Sequence, residues 1–137
     1  MAYVFDASFV GALAVPDEKN PRVDKIRSGI DESEKIFAPQ LLWYEIANLL
    51  NNLIRRKRYS FDEVIQFFAP IAAIRLVCDS ETGIHHSQKI FRLCNECNLS
   101  SYDAAYLELA ERKGAALCTL DEGLQAAAKK RGVTVMR

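Results

Sequence analysis

Residues 100–123, SSYDAAYLELAERKGAALCTLDEG, read as a helix, a glycine stop, a short apolar strand and a turn. The helix is expected over 101–113 and the strand over 115–120. Two carboxylates stand in this stretch. Asp103 falls in the first turn of a helix that is Ala, Tyr and Leu on most sides. Asp121 falls where the apolar strand runs out. Burying an unpaired charge costs free energy, so both positions ask for a reason.

The same alternation extends through the chain. AYVF (2–5), KIFAP (35–39), IRLVC (74–78) and VTVM (133–136) read as four further strands. Between them, helices are expected over 8–15, 21–31, 40–58, from Ser60 onward, 80–98 and 122–131. Ser60 and Glu63 have capping-box spacing. Pro16 and Pro39 cut off the elements before them. Short apolar strands separated by helices predict an α/β fold. The expected form is three-layer α/β/α, with a central parallel five-stranded sheet and one domain over 1–137.

Composition is that of a soluble globular protein, with 50% hydrophobic and 26% charged residues in 137. The formal net charge of zero offers no global pull on nucleic acid, so any such attraction must come from local clusters. No apolar run approaches ~20 residues, so no membrane span is expected. MAYVFDASFV lacks a basic n-region and is not read as a signal peptide. A cytoplasmic protein is expected. Cys78 and Cys118 sit in strand-like runs and are expected as buried, reduced thiols. Cys94 and Cys97 form a C-x-x-C downstream of His85 and His86, the outline of a zinc site. Helical periodicity in SQKIFRLCNEC instead puts both on an apolar face, and four convergent ligands are missing.

In a parallel sheet flanked by helices, strand C-termini and helix N-termini share one edge. Asp6 ends the first strand, Asp121 follows the fourth, Asp103 opens its helix, and Glu45 lies in the first two turns of the helix after the second strand. All four acids are expected on the carboxyl edge, where open α/β sheets place their sites. Singly, three have structural explanations. Asp6 and Asp121 could cap helices, and Asp103 could complement a helix dipole. Glu45 interrupts the apolar run LLWYEIA too deep for a cap, with Asn48 and Asn52 following on one face. Jointly, four carboxylates would raise one another's pKa values, a crowding most readily tolerated around a cation. Oxygen-only donors favour Mg²⁺ or Mn²⁺, and such ions usually meet a phosphate.

VFDAS, LLWYEIANLL, SSYDAAYLELA and LCTLDEGL resemble the four acidic motifs of the PIN domain, in order and spacing, across essentially the whole chain. The tighter resemblance is to the VapC-type toxins, small ribonucleases of bacterial and archaeal toxin–antitoxin pairs. It implies Asp6, Glu45, Asp103 and Asp121 as metal-binding catalytic acids, with Ser8 and Thr119 as supporting hydroxyls. Some members carry a further acid two residues beyond the fourth. That position is Gly123 here, which weakens a second metal site. The resemblance also implies an RNA substrate, a homodimer and an antitoxin lying across the helices at 40–58 and 60–69. Those helices carry Leu49, Leu50, Leu53, Ile54, Phe61, Phe67 and Phe68.

The implied chemistry is metal-assisted hydrolysis of RNA. Asp6 and Asp103 are the first choice as direct ligands, with Glu45 or Asp121 holding water or acting as base. RRKR (55–58), with Arg55 and Arg56, is the candidate RNA contact, although basic residues also suit a helix C-terminus. AAAKKRG (126–132) is a weaker one. Rival readings are few. A phosphatase or phosphotransferase using Asp6 as nucleophile usually has a second Asp two residues on, where Ser8 stands. A receiver domain would use Asp79 and needs paired acids after the first strand, which Asp6 lacks. A non-catalytic binding module on the same fold is the third.

Overall fold

In the computed structural model the structure describes residues 1–136; Arg137, counted in the expected domain, lies outside them. Four strands form one parallel sheet in the order β3-β2-β1-β4. They are β1 (Ala2–Phe5), β2 (Lys35–Ala38), β3 (Val77–Cys78) and β4 (Ala116–Cys118). Tyr3 registers with Ile36 on one side and Ala116 on the other. Tyr3, Val4 and Phe5 are all buried although alternate side chains point to opposite faces. Both faces of the sheet are therefore covered, as all-parallel sheets require.

The helices are α1 (Ala7–Ala14), α2 (Pro21–Ser28), α3 (Leu41–Arg55), α4 (Phe61–Ile65), α5 (Phe68–Ala72), α6 (Ile84–Cys97), α7 (Ser101–Lys113) and α8 (Glu122–Lys130). A 3-10 turn at Pro16–Glu18 follows α1. Helix α7 packs across β1, β2 and β4, with α6 against it. Its residues Ala104 to Ala110 are all buried, which explains a sequence that is apolar on most sides. Helix α1 packs against α2, α3 and α5. Every helix after a strand starts at the carboxyl edge of the sheet, and the four acids follow.

The expected fifth strand is absent. Residues 133–136 contribute one parallel bridge, Val135 to Leu117. The reason lies in the turn. Gly132 has φ 77°, and the Val133 N–H donates to the Ala128 carbonyl of α8 (2.9 Å). Closing α8 thus reaches as far as Val133, and pairing is left to residues 134–136, through the Leu117 N–H to the Thr134 carbonyl (2.8 Å) and the Met136 N–H to the Leu117 carbonyl (3.0 Å). The third strand shrinks to two residues because Arg75 sits at φ 59°, incompatible with an extended 74–76 run. The helix expected from Ser60 does open on a capping box. It then breaks after Ile65, because Pro70 has no N–H to give the Gln66 carbonyl. No helix among the described residues is long and apolar enough to cross a membrane.

Candidate active site

Asp6 sits one residue beyond β1. Its N–H still donates to the Cys118 carbonyl (3.2 Å), and its side chain caps α1. Oδ1 accepts the Phe9 N–H (3.0 Å) and the Ser8 hydroxyl (2.7 Å). The Thr119 hydroxyl donates to Oδ2. Ser8 Oγ in turn accepts the Leu120 N–H (3.0 Å), and Thr119 Oγ1 accepts the Asp121 N–H (3.0 Å). The two hydroxyls thus stitch the end of β4 to the start of α1. Asp6 is 5% exposed. Burial pushes its carboxyl above the usual range, against the three hydrogen bonds, and the Asp103 charge pushes the same way.

Glu45 lies in the second turn of α3, between buried Leu42 and Ile46. The Tyr106 hydroxyl donates to its Oε1 (2.5 Å). Tyr106 is 1% exposed and stands three residues after Asp103, so α7 presents both along one face. Burial raises the Glu45 carboxyl; the Tyr106 hydrogen bond opposes this, and the Asp6 and Asp103 charges add to it. Asp103 is half-buried in the first turn of α7, whose cap is Ser100, accepting the Asp103 N–H (3.1 Å). Burial and then the Asp121 charge raise the Asp103 carboxyl, partly offset by Ser100. Asp121 is exposed and caps α8 through the Leu124 N–H (2.8 Å).

Neighbouring carboxylates add to the rise at Asp6, Glu45 and Asp103. The donors are all oxygen, the chemistry of a hard divalent cation. Among the described residues no group of three or more His, Cys, Asp or Glu side chains forms a ready-made metal cage. The oxygen-only donor chemistry of Asp6 and Asp103 is what suits Mg²⁺, an ion commonly held by one or two carboxylates with waters completing its shell.

Residues 3–130 match the PIN domain family. This chain belongs to that family. It is 29% identical over 124 residues, 90% of this chain and 92% of the relative, to Ribonuclease VapC3 of Pyrobaculum aerophilum. The crystal structure of PAE2754 from Pyrobaculum aerophilum superposes with TM-score 0.70 at 26% identity, covering 99% of this chain and 84% of that one. FitAcB from Neisseria gonorrhoeae has TM-score 0.65 at 16% identity, covering 98% and 96%. FitAB bound to an IR36 DNA fragment has TM-score 0.62, also at 16%, covering 97% and 92%. The last two speak for the PIN fold alone.

The remaining sequence candidates divide. In this PIN domain Arg56 lines a groove of about 310 Å³ with Glu45, Asn48 and Asn52; Arg55, the last residue of α3, does not line it. Arg58 also faces that groove but is paired with Asp17 (2.5 Å) and Glu18 (3.5 Å). Arg131, in the weaker basic cluster, is paired with Glu96 (3.0 Å) and Glu111 (2.9 Å). Asp79, the acid a receiver domain would use, is held by Arg112 (2.7 Å). Cys118 is buried, and burial pushes its thiol up to about 12, as a reduced core thiol requires. Cys78 is exposed, contrary to expectation, because two-residue β3 is an edge strand with a neighbour on one side only. Sequence reading missed Tyr106. Its only signal was its spacing of three from Asp103.

Proposed function

We propose that this chain is one PIN domain acting as a Mg²⁺- or Mn²⁺-dependent endoribonuclease, the cytoplasmic VapC-type toxin of a toxin–antitoxin pair. One observation carries the metal reading: three partly or fully buried oxygen-donor acids gathered at one edge of the sheet, each raised by burial and by neighbouring carboxylates. The similarity to a named ribonuclease over nine-tenths of the chain supports the substrate class.

Asp6 and Asp103 would hold the ion. When bound, it supplies Lewis-acid stabilisation of phosphate charge and eases deprotonation of the attacking water. The remaining roles belong to the chain. Ser8, Thr119 and the Phe9 N–H fix both Asp6 oxygens, so that carboxylate is oriented before anything binds. Tyr106 holds Glu45 in one rotamer and favours its ionised form, leaving Oε2 to accept a proton. Asp121 is the other candidate base. Ser8 and Thr119 would act on substrate only through Asp6, since both hydroxyls are spent on that carboxylate and on the backbone amides of Leu120 and Asp121. Arg56, and with less support Arg55, would meet RNA phosphates.

The partner reading rests on surface. Leu50 and Leu53 are absorbed by the core, whereas Phe61 (65% exposed), Ile65 and Phe68 stay open on α4 and α5. These would carry the homodimer contact and the antitoxin. Light scattering that returns a monomer at micromolar concentration removes the dimer.

The function is tested by incubating the purified chain with single-stranded RNA in Mg²⁺, Mn²⁺ or EDTA. Cleavage in either metal is expected, with none in EDTA. Asp103→Asn is the informative variant, since its fold-neutral shape leaves the Ser100 cap in place. It should lose about 100-fold or more in kcat, the scale of losing one charge-stabilising group at a reaction centre. Full activity in the folded variant refutes the site; metal-independent cleavage by wild type refutes the metal reading, and absent cleavage refutes the function and leaves the binding-module reading.

A further inference from the structure

The chain has five tyrosines. Three serve the fold: Tyr3 is buried in β1, Tyr106 holds Glu45, and the Tyr59 hydroxyl accepts the Asp17 N–H. The other two are exposed, Tyr44 at 80% and Tyr102 at 61%. Each directly precedes one of the acids, Glu45 or Asp103. The fold brings them together. Both line a groove of about 910 Å³, with Glu45 in its wall and Asn48 and Asn51 beside it. Large aromatic rings left in water on a folded surface call for an occupant.

The occupant must suit flat aromatic rings, side-chain amides and a flanking carboxylate. Glu45 and Asn48 also line the adjoining groove that contains Arg56. Aromatic rings on one side of the acids and a guanidinium on the other match a nucleotide: base on one side, phosphate on the other. A single-stranded base can stack on tyrosine and offer its edge to an amide, whereas a duplex base cannot be reached this way. A purely aliphatic peptide would leave the Asn48 and Asn51 amides unpartnered, and an acidic one would be repelled by Glu45 without offering a flat ring to the two tyrosines.

We propose that Tyr44 and Tyr102 form a base-stacking subsite that seats an unpaired RNA nucleotide next to the scissile phosphate. This deepens the nuclease reading and rests on it. It makes these tyrosines binding residues that select unpaired RNA, and it places the stacked base beside Glu45.

The test uses a 12-nucleotide mixed-sequence single-stranded RNA carrying 2-aminopurine at each position in turn, whose fluorescence is quenched by stacking. Binding is measured in Mg²⁺ with Asp103→Asn to prevent turnover, and cleavage of the same RNA with the otherwise unchanged protein. Quenching confined to a position flanking the cleaved bond is expected. Tyr44→Ala and Tyr102→Ala should each weaken binding about tenfold and abolish that quench. In the active background they should raise KM with kcat little changed. Tyr44→Phe and Tyr102→Phe should restore both, since stacking needs the ring and not the hydroxyl. Unchanged RNA affinity in both alanine variants overturns the subsite, including the case in which they weaken a protein partner. Loss that phenylalanine does not restore overturns stacking. Wild type that cleaves RNA while the alanine variants match it refutes this inference alone; wild type that neither binds nor cleaves RNA refutes the nuclease reading with it.

Discussion

Asp6 and Asp79 occupy equivalent backbone positions with opposite electrostatic fates. Each stands one residue past a strand, and each still donates its N–H into the ladder, Asp6 to Cys118 and Asp79 to Ala38. Asp79 faces Arg112, which bonds both its oxygens (3.0 and 2.7 Å) and both Glu108 oxygens (2.7 and 3.1 Å). That guanidinium holds the Asp79 carboxyl below its usual range. Asp6 faces Asp103 and Glu45, and its carboxyl is raised. One edge of one sheet thus holds two acids bridged by an arginine and a second group of acids whose close neighbours are carboxylates. The first has the signature of architecture. The second has the signature of a site waiting for positive charge.

Breaking the arginine-bridged cluster is expected to have the largest effect. The Asp79 and Glu108 side chains are about one-tenth exposed. Arg112→Ala would leave both unpaired, and stability should fall by about 3 kcal/mol, the low end for a broken buried pair because Arg112 is itself partly solvated. Urea denaturation measures it. The folded fraction should retain nuclease activity, because no site acid touches Arg112. A stable variant that lost cleavage would reverse the assignment of the two clusters.

Tyr106 also marks how much of this was readable in advance. The stretch from Ser100 to Gly123 declared its helix, stop and strand, because a helix buried all round and a strand buried on both faces leave unmistakable apolar runs. The four acids followed from chain direction alone. The fifth strand shrank to a bridge because the close of α8 reaches Val133, and the third shortened on the left-handed backbone of Arg75. Neither is a property of composition. Pairings between distant residues were equally hidden: Tyr106 with Glu45, Asp79 with Arg112, Thr119 with Asp6. They exist only once the sheet order is set.

Tyr106→Phe should therefore sharpen the reading of Glu45. The ring stays in its buried slot, so stability changes little. The hydrogen bond that lowers the Glu45 carboxyl is lost, so its pKa rises further. Activity at neutral pH should drop about tenfold, the scale for removing a residue that orients a ligand or base. The acid limb of the pH–activity profile should move to higher pH. An unmoved limb with reduced activity would take the proton-accepting role away from Glu45 and leave Asp121.

The smallest expected effect is the most diagnostic. Without metal, ionised Asp103 is repelled by its neighbours, so neutralising it should help the fold. In EDTA near pH 7, Asp103→Asn should melt at or slightly above wild type, by about 1 kcal/mol or less for like charges in a partly solvated pocket. The sign follows from linkage. A carboxyl raised in the folded state holds its proton where the unfolded chain has lost it, so wild-type stability falls as pH rises through that window. The advantage of Asp103→Asn is then present above the folded pKa and vanishes below about pH 3, where the unfolded and folded carboxyls are both protonated. Mg²⁺ at ten times its Kd should stabilise wild type by about 1.4 kcal/mol, and the variant much less. A helix-dipole role predicts the reverse on both arms, since Asp103 would then stabilise α7 in EDTA and Mg²⁺ would shift the two proteins equally. Ser100 already caps that helix through the Asp103 backbone and not its side chain, so the variant loses no cap. Melts of both proteins, in EDTA and in Mg²⁺ at pH 7 and in EDTA at about pH 3, separate the two roles; equal Mg²⁺ shifts would show that Asp103 is no ligand.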